Sequence, residues 1–399
     1  MKLSPQQKRF ILENEQTDVR ELALRIDKKK SSDLDSDFLL KQIAGRQIAR
    51  RKIPSWYAND AIIYPVHLSL EQASSEATAG YKASLIPWSN GRFVDLTGGL
   101  GVDFAFLSKQ FGDSTYVEQN VELCEIAKHN FRTLELQNTT VIHGKGEEYV
   151  ESIDFAACIY LDPARRDDAG RKVVSIEDCT PDLSKLQNQL IGKSKLVLVK
   201  YSPMLDISRA LQQLENVAEL HVVSVDNECR ELLFLLVKDA ELQVVTTINM
   251  KNNGIIEEFK FSMQEEKDCD IFYADRISRY LYEPNASVLK AGAFKTVSKR
   301  FNLHKLHKSS HLYTSDELKI DFPGRVFEVT DWFVVNRRNI RSFVSQIGKA
   351  NIAVRNYPMS VVEIRKKTGL KDGGDVYLFA TTISTGEKVW AVCRKVEYP

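Results

Sequence analysis

At 399 residues, the chain is longer than one ordinary domain and suggests two or three. Hydrophobic residues make up 43% and charged residues 27%, a balance typical of a globular protein with a substantial core. The net charge of +1 conceals an asymmetry. Residues 290–371 hold 17 Lys and Arg against 6 Asp and Glu, an excess of +11, so the rest of the chain sums to −10. This excess favours a polyanionic partner, nucleic acid, over a merely solvated surface.

Several classes of protein are disfavoured. No run of about 18 or more apolar residues occurs, so we expect nothing that spans a membrane. The N-terminus lacks the apolar segment of a secretory signal. The six cysteines include no Cys-x-x-Cys pair, which argues against a zinc site or a disulfide framework and for reduced thiols. We therefore expect a cytoplasmic protein that needs no metal.

Residues 1–88 are predicted to form an N-terminal helical region. Apolar residues recur at helical spacing in "RFILENEQTDVRELALRI" and "SDLDSDFLLKQIAGRQIARRKIPSWY", and Ser36 is the predicted N-cap in the second stretch. "LSLEQASSEATAGYKASLI" predicts a further helix, with Ser69 and Gln72 spaced as in a capping box.

From residue 89 short apolar runs alternate with helical segments. Strands are predicted in "RFVDLT", "STYVEQ", "TTVIHG", "FAACIYLDP" and "SKLVLVKYSP". The alternation indicates the α/β class, with a mostly parallel, Rossmann-like sheet covered on both faces. "VAELHVVSVDNECRELLFLLVKD" adds two strands, expected as a hairpin at the sheet edge, and this domain is expected to span 89–241.

Beyond residue 241 the alternation stops. "LQVVTTINMKNNGIIEEFKFSM" predicts a hairpin around Asn-Gly, and small α+β modules are expected at 242–332 and 333–399. "FKTVSKRFNLHKLHKSSH", "NRRNIRSF" and "EIRKKTGLK" interleave basic with apolar side chains, which suits phosphate contacts with occasional stacking on bases. His304, His307 and His311 have helical spacing, but with no acid or thiol beside them they do not predict a metal site.

"FVDLTGGLGVDF" joins the first strand to its helix through a glycine loop. Glycines let a backbone approach a ligand closely, and the helix that follows offers free N–H groups. Gly98, Gly99 and Gly101 fit the dinucleotide pattern Gly-x-Gly-x-x-Gly poorly. Asp95, an acid at the end of the strand before the loop, gives the form found in methyltransferases.

Two further positions continue this pattern. Glu118 closes the second strand, where a carboxylate can accept two hydrogen bonds from a ribose diol. Methyltransferases of this form often carry an acid after the third strand that accepts from an adenine amine, a position that falls here in "VIHGKGEEYV". Lys145 stands there and cannot accept, so the backbone of Lys145 and Gly146, or the side chain of Glu147, must do so.

The chain resembles class I S-adenosylmethionine-dependent methyltransferases, through Asp95 to Gly101, Glu118 and Asp162-Pro163 at the ends of strands one, two and four. More closely, it is similar to the bacterial group in which this domain precedes a ferredoxin-like and a THUMP-like domain. That similarity lies in "LSLEQASSEATAGYKASL", "YLDPARRD", "EPNASVLKAGAFK" and "LKDGGDVYLFATT", within residues 64–395. The resemblance implies S-adenosyl-L-methionine as cofactor and, because THUMP domains belong to RNA-modifying enzymes, an RNA substrate.

The resemblance also implies which residues bind the cofactor. These are Asp95, Thr97, Gly98, Gly99, Gly101, Asp103, Glu118, Gln119, Lys145, Gly146 and Asp162. "EQASSEATAGYK" is expected to pack beside the glycine loop. Its Ser75 and Thr78 hydroxyls either reach the cofactor's carboxylate or serve only a helix–helix contact.

Asp162, Pro163 and Arg165 are the candidate catalytic residues, in "YLDPARRD". The resemblance implies that the end of the fourth strand lies beside the transferred methyl group. Enzymes that methylate exocyclic amines carry Asp-Pro-Pro-aromatic there, whereas Ala164 and Arg165 replace the last two residues here. The closest common form, Asp-Pro-Pro-Arg, occurs in methyltransferases that act on RNA ring positions.

The roles of the charged groups in this motif stay open. Asp162 either accepts a proton or holds the donor N–H. Arg165 and Arg166 either clamp a phosphate or stack on the base, or they form salt bridges with an acid such as Asp167 or Asp168.

Carbon methylation of a pyrimidine would need a cysteine that adds to the ring. Related enzymes carry that cysteine just after the fifth strand, where "VKYSPMLD" has none, and Cys179 is expected to be a packed residue. We therefore predict an S-adenosylmethionine-dependent enzyme that methylates a base nitrogen of tRNA or rRNA. The alternatives are a methyltransferase of protein or a small molecule, and a non-catalytic RNA-binding protein that kept the fold.

Overall fold

The computed structural model describes residues 3–25, 35–65, 67–165 and 175–397, with residues 67–69 and 165 described by their backbone alone. The chain divides into two compact units. The first is Met1–Ala218 with Leu233–Glu241, and the second is Glu219–Leu232 with Leu242–Pro399. The module boundaries expected after residues 88, 241 and 332 stay predictions, and the strand Gly324–Val334 runs across the last of them.

The described part of the chain contains helices and strands in a mixed order. The α-helices are α1 (Pro5–Asn14), α2 (Val19–Arg25), α3 (Ser36–Lys52), α4 (Pro54–Tyr57), α5 (His67–Gln72), α6 (Glu76–Ser84), α7 (Val102–Leu107), α8 (Val121–Thr133), α9 (Gly146–Glu151), α10 (Leu183–Gly192), α11 (Ile207–Gln213), α12 (Met263–Asp268), α13 (Ala286–Ala291), α14 (Phe294–Arg300), α15 (Arg337–Gln346) and α16 (Val361–Thr368). The strands are β1 (Ser89–Asp95), β2 (Phe111–Glu118), β3 (Thr139–His143), β4 (Cys158–Leu161), β5 (Ala164–Arg165), β6 (Cys179–Thr180), β7 (Val197–Tyr201), β8 (Val217–Val225), β9 (Glu228–Leu236), β10 (Val244–Met250), β11 (Ile256–Phe261), β12 (Tyr280–Pro284), β13 (His304–Lys305), β14 (Tyr313–Ser315), β15 (Gly324–Val334), β16 (Asn351–Arg355), β17 (Val376–Thr382) and β18 (Lys388–Lys395).

The N-terminal helices pack against the segment that carries the glycine loop. Trp56 of α4 and Ala79 of α6 share a buried cluster with Leu100 and Val102, which lie in the loop and at the start of α7. The helical region therefore packs against the glycine loop and helps to hold it in place. The predicted N-cap of α3 is wrong by one residue: the Asp35 carboxylate, and not Ser36, accepts the cap hydrogen bond from the Phe38 N–H at 3.0 Å. The Ser69 side chain, predicted to form a capping box, lies outside the described residues.

The first unit is built on a parallel sheet. Strands β3, β2, β1, β4 and β7 lie side by side in that order and run parallel, with β9, whose last residues belong to this unit, after β7. Every residue of β4 is buried, as expected for a central strand covered on both faces. The predicted α/β, Rossmann-like class is confirmed. Because the carboxyl ends of parallel strands meet at one edge, the residues that follow β1, β2 and β4 come together there.

The second unit contains a hairpin, further strands of mixed direction and a seven-stranded sheet. The order of that sheet is β13-β14-β12-β15-β18-β17-β16. The hairpin of β8 and β9 was expected at a sheet edge, which is wrong: β10 pairs in parallel with β8, and β11 lies outside β10 in the predicted Asn-Gly hairpin. His304 lies in the short strand β13, and His307 and His311 in the loop after it, so the helical spacing of these histidines is not part of a helix.

Candidate cofactor-binding and catalytic site

The glycine loop begins where β1 ends, at Asp95. The Asp95 Oδ1 atom accepts from the Thr97 N–H at 2.9 Å, and the Gly98 N–H donates to the Val117 carbonyl at 2.9 Å. Gly101 has a φ of +82° and precedes the first turn of α7, a left-handed conformation that favours glycine. These bonds hold the backbone in its turn from strand to helix.

Two glycines of the site are required by close packing. A Cβ atom at Gly98 would stand 2.2 Å from the ring of Tyr116, and one at Gly146 would stand 2.3 Å from the Leu96 carbonyl oxygen. Neither position can accept a side chain without movement of its neighbours. Gly98 therefore fits the loop onto β2, and Gly146 fits the start of α9 onto the segment after β1.

Glu118 is held by backbone donors on two sides. Its Oε2 atom accepts from the Gly99 N–H at 2.8 Å and its Oε1 atom from the Asn120 N–H at 2.7 Å. A carboxylate oxygen can accept more than one hydrogen bond. Glu118 is thus fixed in place with capacity for two further donors, such as the hydroxyls of a diol.

Asp162 lies just after β4 and is anchored twice. Its backbone N–H donates to the Thr97 Oγ1 atom at 2.6 Å, and its Oδ2 atom lies 2.5 Å from the Lys200 ammonium at the end of β7. Pro163 behind it is buried. The Arg165 side chain and the residues Arg166, Asp167 and Asp168 lie outside the described part of the chain, so their predicted roles stay predictions.

Asp103 is engaged from several directions. The hydroxyls of Ser74 and Tyr160 both donate to its Oδ2 atom at 2.7 Å, and the fully buried Lys82 ammonium lies 3.1 Å from its Oδ1 atom. Burial alone would raise the pKa of Asp103, but the Lys82 and Lys200 charges and the hydroxyl donors outweigh it, so that the pKa lies below its ordinary value. Asp103 is therefore an ionised carboxylate whose two oxygens both have partners among the described side chains, and its predicted role in cofactor binding stays a prediction.

Asp95 has the opposite character. It is 1% exposed, and burial, with the nearby carboxylates of Asp103, Asp162 and Glu118, raises its pKa well above the ordinary value despite the Thr97 N–H. Its Oδ2 atom is buried and has no hydrogen-bond partner among the described residues. A buried polar atom without a partner is unfavourable and indicates a place for a donor from outside the chain.

These residues surround one cavity of about 280 Å³. Its lining includes every candidate cofactor-binding residue, from Asp95 through the glycine loop, Asp103, Glu118 and Gln119 to Lys145, Gly146 and Asp162. Glu147 lines it as well. Both candidate acceptors for an adenine amine, the backbone of Lys145 and Gly146 and the side chain of Glu147, therefore belong to residues of the lining. Whether these residues bind a ligand stays a prediction.

Ser75 and Thr78 lie at the start of α6. The Ser75 hydroxyl oxygen accepts from the Thr78 N–H at 3.2 Å, and the Thr78 hydroxyl donates to the Ser75 carbonyl at 3.2 Å, so these two residues cap α6. Ser74, one position earlier, lines the cavity. The segment packs beside the glycine loop as predicted, and among the described residues Ser74, not Ser75 or Thr78, lines the cavity.

Other chemistry near the cavity is limited. Cys179 is buried and is not among the described residues that line the cavity, although Thr180 and Pro181 are. In residues 3–25, 35–65, 67–165 and 175–397, no group of three or more His, Cys, Asp or Glu side chains could hold a metal ion. No helix in these ranges is long and apolar enough to cross a membrane.

S-adenosyl-L-methionine carries hydrogen-bond donors that fit the acceptors lining this cavity. Its ammonium group or an attendant water can donate to the unpartnered Asp95 oxygen, and its ribose diol matches the two oxygens of Glu118. Its adenine amine requires an acceptor, which the backbone at Lys145 and Gly146 or the Glu147 carboxylate offers. The glycine loop leaves room for the chain that joins these groups.

Comparison with known proteins shows which family the chain belongs to. Residues 280–323 match the model of a ferredoxin-like domain, and residues 324–395 match that of a THUMP domain-like family. No curated protein sequence matches the chain. The crystal structure of a protein from Porphyromonas gingivalis W83, provisionally named a methyltransferase, is 34% identical and has a TM-score of 0.87, with 100% of both chains covered.

More distant solved structures cover less than half of the chain. An rRNA methylase from Streptococcus thermophilus is 13% identical with a TM-score of 0.31, covering 42% of this chain and 96% of its own. A provisionally named SAM-dependent methyltransferase from Streptococcus mutans is 12% identical with a TM-score of 0.35, covering 42% and 50%. These two matches carry no argument about substrate. The full-length match and the two domain matches do establish the family, and the chain belongs to the class I methyltransferases that carry C-terminal ferredoxin-like and THUMP-like domains.

Proposed function

We propose that this protein is an S-adenosylmethionine-dependent methyltransferase that modifies a base nitrogen in tRNA or rRNA. The observation that carries the proposal is the cavity in which the glycine loop, Glu118 and Asp162 meet at the carboxyl edge of the parallel sheet. The family relationship supports methyl transfer. The THUMP domain-like match supports an RNA substrate.

The roles of the residues follow from their contacts. When bound, the cofactor supplies a methyl group that its sulfonium already activates, so positioning provides most of the rate. Asp162 is held beside the cavity by Thr97 and Lys200. Paired with an ammonium, its carboxylate is an acceptor that can orient a base N–H or take up the proton released on methylation.

We favour methylation of a nitrogen over that of a carbon because the described lining of the cavity has no cysteine nucleophile. Carbon methylation of a pyrimidine requires a cysteine that adds to the ring. No cysteine occurs among the described residues that line the cavity, and burial raises the pKa of the Cys158 thiol on β4, which disfavours its reactive form. A nitrogen needs no such covalent activation.

RNA as substrate is supported by the charge of the C-terminal modules. Residues 290–371 carry an excess of +11, and charge of this sign is what phosphate contacts require. A methyltransferase of protein or small molecules would leave this excess without a partner. All six cysteines are free, and with reduced thiols we place the protein in the cytoplasm.

The test is methyl incorporation. Purified protein and its Asp162→Ala variant would each receive methyl-labelled S-adenosylmethionine with small RNA, ribosomal RNA or a protein extract. The proposal predicts label in one RNA fraction, lost in the variant, and a methylated base nitrogen on nucleoside digestion. Label in the protein extract, or on a base carbon, would contradict it.

A further inference from the structure

Two open clefts lie side by side on the N-terminal helices of the first unit. One, of about 460 Å³, lies between the α1–α2 turn, α3 and α4, and the other, of about 430 Å³, between the start of α2 and α3. Asp18, Gln47 and Arg51 line both of them. Because they share these residues, the two clefts form one polar surface, called the α3 cleft below.

Hydrogen bonds fix the shape of the α3 cleft. The Gln47 amide donates to the Glu15 carbonyl at 3.1 Å and to the Thr17 carbonyl at 2.8 Å. The Glu15 carboxylate in turn accepts from the buried Arg46 guanidinium at 3.1 Å and from the Tyr57 hydroxyl at 2.9 Å. These bonds tie the α1–α2 turn to α3 and α4, so that a ligand would meet a surface that is already ordered.

Three arginines line the α3 cleft and keep their charge available. Arg20, Arg50 and Arg51 are all exposed. Arg20 and Arg51 form no ion pair with the described residues, and Arg50 donates to the neutral Gln16 amide oxygen at 2.8 Å. That bond orients the Arg50 guanidinium and uses one of its several donors. The remaining donors are free to bind an anion.

The acidic side chains of the lining do not cancel these charges. Both oxygens of Glu15 already have partners in Arg46 and Tyr57. Asp18 accepts from the backbone N–H groups of Arg20 and Glu21, at 2.9 and 3.1 Å. Three arginines therefore stand against one carboxylate that has no cationic side chain beside it, and a cleft with this imbalance concentrates positive potential.

Direct contacts connect the α3 cleft with the cavity of the first unit. The Lys52 ammonium, at the last residue of α3, donates to the Leu70 carbonyl at 3.1 Å. Two positions later, Gln72 lines the cavity. Ile48, which lines the α3 cleft, packs against the buried cluster that contains Leu100 of the glycine loop. The same packed segments thus form a wall of the cleft and a wall of the cavity.

The chemistry of the α3 cleft fits phosphate groups. A guanidinium matches the geometry of a phosphate and can donate two parallel hydrogen bonds to it. Residues 1–52 hold 13 Lys and Arg against 8 Asp and Glu, an excess of +5, although the chain outside residues 290–371 sums to −10. Several arginines along an open cleft suit a chain of phosphates better than a single anion.

We propose that the α3 cleft binds the phosphate backbone of the RNA substrate through Arg20, Arg50 and Arg51. The inference rests on the proposed function and names the part of the first unit that holds RNA beside the methyl-transfer cavity. Phosphate contacts carry no sequence information by themselves. The cleft therefore orients the RNA, and the choice of base is left to the cavity.

The test measures the binding of a fluorescein-labelled, unstructured RNA oligonucleotide by anisotropy over a range of salt. An Arg50→Gln, Arg51→Gln double variant is expected to bind roughly tenfold more weakly or worse. The slope of log affinity against log salt should fall by about 0.7 for each lost contact. An Arg50→Lys, Arg51→Lys double variant should keep the slope, because lysine retains the charge.

A matched control removes the same number of charges elsewhere in the first unit. Arg132→Gln with Arg209→Gln replaces two exposed arginines of α8 and α11, which are not among the described residues of the cleft lining. An unchanged slope in the Arg50, Arg51 glutamine variant, or an equal loss in the control, would overturn the cleft. Displacement of the RNA by inorganic phosphate or polyglutamate at the same concentration of charge would overturn RNA as its ligand.

Methyl incorporation separates this inference from the proposed function. In the Arg50, Arg51 glutamine variant the KM for RNA should rise about tenfold with kcat unchanged, since contacts that only bind substrate act on KM. Normal KM and kcat in this variant would overturn the cleft and leave RNA methylation standing. Absence of label in RNA with the wild type would contradict the proposed function itself. Thermal unfolding and titration with S-adenosylhomocysteine verify that each variant is folded and keeps its cofactor site.

Discussion

Asp95 shows how a residue of the site can be unfavourable for the fold. It is buried among the carboxylates of Asp103, Asp162 and Glu118, and one of its oxygens lacks a hydrogen-bond partner within the described residues. A fold selected for stability alone would not keep such a group. Its presence is consistent with a ligand that supplies the missing donor, since functional sites often violate the rules that the rest of a sequence obeys.

Replacement of Asp95 by asparagine is expected to stabilise the ligand-free protein and weaken cofactor binding. Because burial raises the pKa of Asp95 in the folded state, its contribution to stability is present below the unfolded-state pKa and is lost as pH rises through the folded-state pKa. The free energy of unfolding of the variant should therefore exceed that of the wild type by on the order of 1–3 kcal/mol at neutral pH, and by less at acidic pH. Thermal unfolding at both pH values tests this, and lower stability of the variant at neutral pH would contradict it.

The ion pair between Asp162 and Lys200 gives a second prediction at this scale. Lys200→Met is expected to reduce methyl transfer by about a hundredfold, since misplacing a catalytic group by about 1 Å can have that effect. Lys200→Arg, which keeps the charge, should restore part of the rate. Initial rates with the RNA fraction that accepts label measure this. Equal rates for the methionine variant and wild type would show that Lys200 does not position Asp162.

At the scale of elements, the packing of α9 on the segment after β1 can be tested by a matched pair of glycines. A methyl group at Gly146 would stand 2.3 Å from the Leu96 carbonyl, whereas one at Gly144 would meet nothing within 4 Å. Gly146→Ala is expected to destabilise the fold by about 1–3 kcal/mol through overpacking. Gly144→Ala should change the free energy of unfolding little. Denaturant unfolding of the two variants compares them, and equal stabilities would contradict the packing.

The helix α15 carries exposed cations on the THUMP-like part of the chain. Arg337, Arg338 and Arg341 are exposed and form no ion pair with the described residues. If they contact phosphates, their joint replacement by alanine should weaken RNA binding for every sequence. The salt dependence of log affinity should fall by about 0.7 for each lost contact. Binding measured over a range of salt tests this, with Lys238→Ala as control, and an unchanged slope would exclude these contacts.

The elements that sequence predicted well are those with a strong local signal. The apolar runs of β1, β2, β4 and β7 and the helices between them are recognisable without tertiary information. The position of the β8–β9 hairpin within its sheet could not be recognised in this way. Its apolar pattern indicates buried strands but does not tell whether a further strand pairs with them, and β10 pairs with β8. The N-cap of α3 was predicted at Ser36 but lies at Asp35, because serine and aspartate can both cap a helix.

For the whole molecule, the motifs located the cavity but not the contacts that organise it. Asp95, the glycines and Glu118 lie at strand ends, where spacing along the chain predicts their meeting. The group around Asp103 joins Ser74, Lys82 and Tyr160 from separate segments. Tyr160 and Lys200 lie within apolar strands, and Lys82 in an amphipathic helix. No local pattern distinguishes them from structural residues, so their roles became apparent only from the tertiary structure.

The central claim, that this cavity binds S-adenosylmethionine, can be tested without knowledge of the RNA. Isothermal titration of S-adenosylhomocysteine would compare wild type with Glu118→Ala and with Glu122→Ala, an exposed acid of the α8 first turn outside the cavity lining. We predict one site per chain, with affinity lost in Glu118→Ala and retained in Glu122→Ala. Absence of binding to the wild type, or equal binding to both variants, would contradict the account.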